Sequence, residues 1–195
     1  RYYARLSGEP DAVADGIFEH YLPRSADDIL PTQLPATVVG IADRLDSIVG
    51  LFAVGLAPTA NKDPFALRRA ALGLNQILIG LDLDFDLQAA LKLAAERYDR
   101  DISDEVLQNA LEFIKGRLHG VLLDKGYRYD VVEAVEQVQS SNPAKANRYA
   151  ELLNGWIQKP EWEALLPAYS RCARITRNIS ETYALAPEAL EDPSE

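Results

Sequence analysis

The stretch SDEVLQNALEFIKGRLHGVLLDKG, Ser103–Gly126, places Leu107, Leu111, Ile114, Leu118 and Leu122 at i, i+4, i+7, i+11 and i+15. That spacing lines one face of an α-helix and does not fit the two-residue period of a strand. Ser103, followed by Asp104 and Glu105, supplies an acceptor and negative charge to a first turn whose amides lack helical partners. Gly126 closes the other end as a left-handed C-cap. The same code recurs in both directions. Upstream, Val13, Ile17 and Tyr21 fall four apart after Pro10 and Asp11. A loop with Pro23, Pro31 and Pro35 follows, and then Ile41, Leu45, Ile48, Val49 and Phe52 at helical spacing. Asp63-Pro64 reads as N-cap and first helical residue. The helix it opens turns Leu67, Ala71, Leu74 and Leu78 inward and Arg68, Arg69, Asn75 and Gln76 outward. Leu87–Arg97, Val131–Val138, Pro143–Ile157 and Pro160–Ile179 read as further helices, and only the Leu-Asp alternation of Leu81–Asp86 hints at a short strand. The expected fold class is all-α in two helical modules. Residues 1–85 form the first, 86–102 a joint, 103–183 the second, and 184–195 a loose acidic tail.

Composition narrows the function classes. The chain has 195 residues with 48% hydrophobic by a wide count, which suits a folded core without disulfides. Against 20 Lys and Arg stand 30 Asp and Glu, a net charge of −10, so any contact with nucleic acid must come from a local patch. Cys172 is the single cysteine, which excludes a disulfide framework and a thiolate metal cluster, and it reads as a small buried residue. No apolar run reaches the roughly 20 residues of a membrane span. A reducing, soluble compartment is the expectation. The chain starts at Arg1 and contains no methionine, and it reads as a piece of something longer.

Few residues invite chemistry. His20 and His119 belong to no His-x3-His pair and no Cys-His spacing, and each reads as a surface or packing histidine. No phosphate-binding Gly-Lys loop, nucleophile elbow or dinucleotide fingerprint occurs. Asp43 and Asp46, three apart on one helix, are weak candidates to share a cation with His20, against the plainer reading that they pair with Arg44 or solvent. Two basic clusters carry more weight. Lys62, Arg68 and Arg69 flank a helix start, where free amides and the helix dipole favour a phosphate. Arg171, Arg174 and Arg177 recur every third residue in a run, 164–180, that contains no acid. They form a cationic ridge, or alternatively a solvated helix face.

The run Gly55–Gly73, which contains Lys62-Asp63-Pro64-Phe65-Ala66-Leu67-Arg68-Arg69-Ala70, resembles the signature of the β subunit of bacterial glycyl-tRNA synthetase. Arg1 to Ala4, Glu19 to Pro23, Ala42 to Asp46, Gly126-Tyr127, Asp130 to Val135 and Ala168 to Arg171 are similar to that family as well. The resemblance implies a C-terminal portion made of the end of an HD-like helical domain and a helical anticodon-binding domain. It implies an enzyme of two α and two β chains that attaches glycine to tRNA(Gly) with ATP and magnesium, in the cytoplasm or in an organelle's stroma or matrix. The α subunit would hold the chemistry and this chain would bind tRNA, with no cofactor or membrane of its own. Lys62, Arg68, Arg69, Arg171, Arg174 and Arg177 are then the expected backbone contacts, Asp63 and Pro64 a structural cap, and Tyr169 and Asn178 weak candidates to meet bases. Ala60-Asn61 replaces the family's Gly-Ser and is expected to stiffen that loop. The His-Asp pair of HD hydrolases is absent, which leaves a degenerate phosphohydrolase at His20, Asp43 and Asp46, or a plain helical scaffold, as the alternatives.

Overall fold

The computed structural model describes residues 1–181, and among these the only regular secondary structure is helical. The helices are α1 (Tyr2–Leu6), α2 (Asp11–Glu19), α3 (Leu34–Ala53), α4 (Leu67–Gly80), α5 (Leu87–Ala95), α6 (Asp104–Asp124), α7 (Tyr129–Gln139), α8 (Pro143–Trp156) and α9 (Trp162–Thr176). The fold is all-α, as the periodicity implies. The tail expected at 184–195 lies outside the described residues.

The core is built where α3, α4 and α6 meet, with α5 laid across α3 and α6. Ile48, Val49, Leu74, Ile77, Leu78, Leu87 and Ile114 are fully buried there. Asn75 and Gln76 therefore do not belong to an outer face of α4, which corrects that part of the reading, while Arg69 is exposed as expected. Asn75 sits on the inner side of α4, fully buried, and its Nδ2 donates to the carbonyls of Ala71 at 3.1 Å and Ile114 at 3.0 Å. Those bonds replace water at Nδ2 and tie α4 to α6, while the buried Oδ1 has no hydrogen-bond partner. Gln76 is half-buried and donates to Ala26 O at 2.6 Å.

The long helix α6 behaves as its ends dictate. Ser103 Oγ accepts from Val106 N at 3.4 Å, and Gly126 takes φ +86 beyond the last turn. The alternation at 81–86 is not a strand. Its three acids each make a separate tie, and Asp82 stands in a turn with φ 49. Asp82 takes a 2.6 Å bond from Arg148, Asp84 one of 2.6 Å from Asn142, and Asp86 caps α5 by accepting from Gln88 N and Ala89 N. Lys145 adds an ion pair to Asp84 at 3.2 Å. These bonds fasten the α4–α5 connection to the start of α8. Compact units accordingly divide the chain elsewhere than at 86–102: one is Arg1–Gly155 and the other Trp156–Glu195. The expected joint holds α5, whose Leu87 and Leu91 are buried in the first unit's core. In the second unit α9 carries no buried residue, with Pro167 inside it. Cys172 is exposed there, which corrects its reading as a buried residue.

Candidate nucleic-acid interface

The start of α4 differs from the sequence reading in a way that matters for its arginines. The helix begins at Leu67, after Ala66 in the left-handed region at φ 55, so Asp63 and Pro64 stand in the preceding turn. Asp63 still reaches the helix end. Its carboxylate accepts from Leu67 N at 2.8 Å and Arg68 N at 3.0 Å, satisfying two free amides from four and five residues upstream. The loop before it closes as a tight turn, with Thr59 N to Lys62 O at 3.0 Å and Lys62 N to Thr59 O at 3.2 Å. Ala60 and Asn61 do not use positive φ, so the loop needs no glycine at those two places.

This turn separates the three cations expected to act together. Arg68 donates to Thr59 O and lies 3.9 Å from Asp63, so its guanidinium holds the turn. Lys62 is exposed on the turn, and Arg69 is exposed with no acid or carbonyl engaging its side chain. Arg69 faces a concavity of about 640 Å³ that the sequence did not reveal. Arg24, Arg68 and Arg117 share its lining, together with Gly116 and Gly120 of α6, and Asp124 is its acid. Arg24 is bound to Asp28, Nε to Oδ2 at 2.7 Å, and this bond holds the Asp28 carboxyl well below the usual carboxylate range. Arg117 lies over the Phe113 ring at 6.0 Å, and its buried Nε has no hydrogen-bond partner. Arg24 and Arg117 come from different segments and carry no common spacing, so no sequence signal could have grouped them with Arg69.

His20, Asp43 and Asp46 do not converge. His20 and Asp43 border one cleft of about 430 Å³ beside Arg24 and Arg69. Asp46 points to another groove, where the Tyr98 hydroxyl donates to its Oδ1 at 2.8 Å and its backbone carbonyl at 2.9 Å. Among the described residues no group of three or more His, Cys, Asp or Glu is placed to hold a metal ion. Arg44 does not pair with either acid. It is buried, and its guanidinium donates to the carbonyls of His20, Gly40, Tyr21, Leu22 and Pro23 at 2.8–3.2 Å. Burial pushes its pKa down and neighbouring Asp43 pushes it up, while the five acceptors favour the charged form. His119 is half-buried, with Nδ1 2.7 Å from Glu136 Oε2, and ties α6 to α7.

In the second unit Arg171 and Arg174 lie on α9 and Arg177 caps it. All three are exposed, as are Tyr169 and Asn178, and no acid engages the arginines.

A family model described as glycyl-tRNA synthetase beta subunit matches residues 1–137. The chain belongs to the glycyl-tRNA synthetase β-subunit family. It is 40% identical over its whole length to the glycine–tRNA ligase beta subunit of Moorella thermoacetica, of which it covers 29%. It is 43% identical over 90% of its length to that of Myxococcus xanthus, covering 26% of the relative. The glycine–tRNA ligase beta subunit of Clostridioides difficile is 39% identical over 90% of the chain, again with 26% of the relative covered. The chain thus spans less than a third of the length of these β subunits. The family match runs from α1 through most of α7 and contains the arginine-lined concavity, while the α9 ridge falls within the full-length alignment to the Moorella β subunit.

Proposed function

We propose that this chain is the tRNA-binding portion of a glycyl-tRNA synthetase β subunit, and that it supports ATP-dependent attachment of glycine to tRNA(Gly) while the chemistry runs on the α subunit. In this reading the partners are the α subunit and tRNA(Gly), the compartment is the cytoplasm or a bacterial-type organelle, and this portion alone joins no glycine to tRNA. One observation carries it. In a chain of net charge −10, Arg69, Arg171, Arg174 and Arg177 stand exposed with no acid engaging them. Left unmatched, they keep their full attraction for phosphate oxygens, which they bind in bidentate fashion. Phosphate contacts position an RNA without reading its sequence, which suits a portion that holds tRNA for a catalytic site elsewhere.

The test is a fluorescence titration of tRNA(Gly) with the chain at 50 and 200 mM salt. Arg69→Glu and Arg171→Glu are each expected to weaken binding roughly tenfold or more at the lower salt. Arg68→Glu is expected to act instead through the 59–62 turn, lowering thermal stability. Affinity unchanged by both exposed charge reversals would sink the reading.

A further inference from the structure

We infer that the concavity between α4 and α6 is a seat for an RNA sugar-phosphate backbone, with Gly116 and Gly120 as its floor and Arg69 and Arg117 as the groups that meet the phosphates. This rests on the tRNA-binding reading and assigns it a place. Three observations on independent residues meet here.

The first is charge. Arg24, Arg68, Arg69 and Arg117 come from three separate segments into one concavity that contains a single acid, Asp124. Asp28 neutralises Arg24 and the 59–63 turn occupies Arg68. Arg69 is left with a charge that no acid or carbonyl engages, and Arg117 with one met only by the Phe113 ring. The second is the state of Arg117. Its Nε is out of reach of water and has no acceptor. A buried donor of a charged group left without a partner is costly, and a phosphate in the concavity offsets that cost through its charge on the guanidinium, without a bond to the buried Nε.

The third is the floor. Gly116 and Gly120 lie one turn apart on α6, and a Cβ built on either would meet no atom within 4 Å. Neither adopts positive φ. Glycine within a helix is unfavourable relative to alanine, and nothing in this fold requires it at these two positions. Both residues are exposed and both border the arginines. Missing side chains let another backbone approach the helix closely, which is the use glycine has beside phosphates elsewhere. A free nucleotide would need contacts to its base, and the lining offers Leu72 and Val121 but no aromatic ring to stack on. The occupant is accordingly a backbone, met without regard to sequence.

The experiment uses the 195-residue chain with a tRNA(Gly) transcript and a non-cognate tRNA transcript, titrated from 50 to 250 mM salt. Arg117→Gln is expected to weaken both RNAs by a similar factor of about five to ten and to lower the salt slope by about 0.9, one phosphate contact. Gly120→Leu, which changes no charge, is expected to weaken both at least tenfold without lowering the melting temperature. Arg174→Gln on α9 serves as the comparison outside the seat. If the chain binds tRNA, and Arg117→Gln and Gly120→Leu leave affinity and slope unchanged while Arg174→Gln reduces them, the seat is wrong and the tRNA-binding reading stands. If the unmodified chain binds neither RNA at 50 mM salt, both fall. Loss confined to the cognate RNA would replace backbone binding with sequence readout and overturn the inference in that form.

Discussion

At the scale of single residues, Arg44 and Tyr98 show how much of the site's framework was hidden. A sequence places Arg44 between two aspartates and suggests an ion pair, yet its guanidinium reaches back to the carbonyls of residues 20–23. That path depends on where the Pro-rich loop runs, which no local pattern specifies. Removing the donors strands several buried carbonyls, so Arg44→Met is expected to cost about 3–5 kcal/mol in urea unfolding. Arg44→Lys retains a charge but only three donors without the planar fork, and its expected loss is about 1–3 kcal/mol. A lysine variant as stable as the parent would remove the five-carbonyl account. Asp46 was similarly misplaced among metal candidates because its partner, Tyr98, lies 52 residues away. Burial first, and the bond to Asp46 second, push the Tyr98 hydroxyl up to about 12. Its folded value exceeds the unfolded one near 10, so its contribution to stability is complete below pH 10 and is lost as pH rises through about 12. Ultraviolet titration is expected to show a late tyrosine step that Tyr98→Phe abolishes.

At the scale of elements, helix existence was legible and helix ends were not. The period of 3.6 and the signals at Ser103 and Gly126 marked α6 within a residue, because those cues act through the helix's own backbone. For α4 the Asp-Pro signal pointed three residues too early, since Asp63 caps across a turn closed by Ala66 in the left-handed region. An L-residue there carries roughly 1–2 kcal/mol of strain. Ala66→Gly is therefore expected to raise stability by about 0.5–1 kcal/mol after glycine's greater unfolded-state entropy is deducted, read as a higher midpoint in urea. Glycines within helices are indistinguishable in sequence and opposite in consequence. A Cβ on Gly73 would stand 3.1 Å from Arg44 Nε and 3.2 Å from Pro23 O, in the tightest part of the Arg44 clamp. Gly73→Ala is expected to destabilise, whereas Gly120→Ala, with open space around it, is expected to stabilise by about 0.5–1 kcal/mol through helix propensity alone. Thermal melts of the two variants moving the same way would contradict this assignment of close and open faces.

At the scale of the molecule, a net charge of −10 and the proposed role in holding RNA are reconciled by where the charges sit. Acids are spent internally: Asp82 and Asp84 fasten α8, Asp28 binds Arg24, and Glu19 accepts from Thr32 N and Gln33 N at the entry to α3. Exposed arginines that no acid engages remain in both compact units, Arg69, Arg97 and Arg100 in the first and Arg171, Arg174 and Arg177 in the second. A whole-chain sum discards position, so the net charge of −10 does not exclude the proposed contact with RNA. The two sets also sit on unequal foundations. The first unit contains the whole cluster of buried helices, while no residue from 156 to 181 is buried. A chain ending at Gly155 is thus expected to keep its melting temperature within about 3 °C, since it loses no residue of the buried core. The same truncation removes Arg171, Arg174 and Arg177 and keeps Arg69 and Arg117. Its tRNA salt slope should fall by at most about 2.7, three phosphate contacts, and stay above zero because the seat on α4 and α6 persists. A truncated chain that melts unchanged but shows no salt-dependent binding would assign all phosphate contact to the second unit, and a chain that fails to fold would show that the first unit's core is not sufficient by itself.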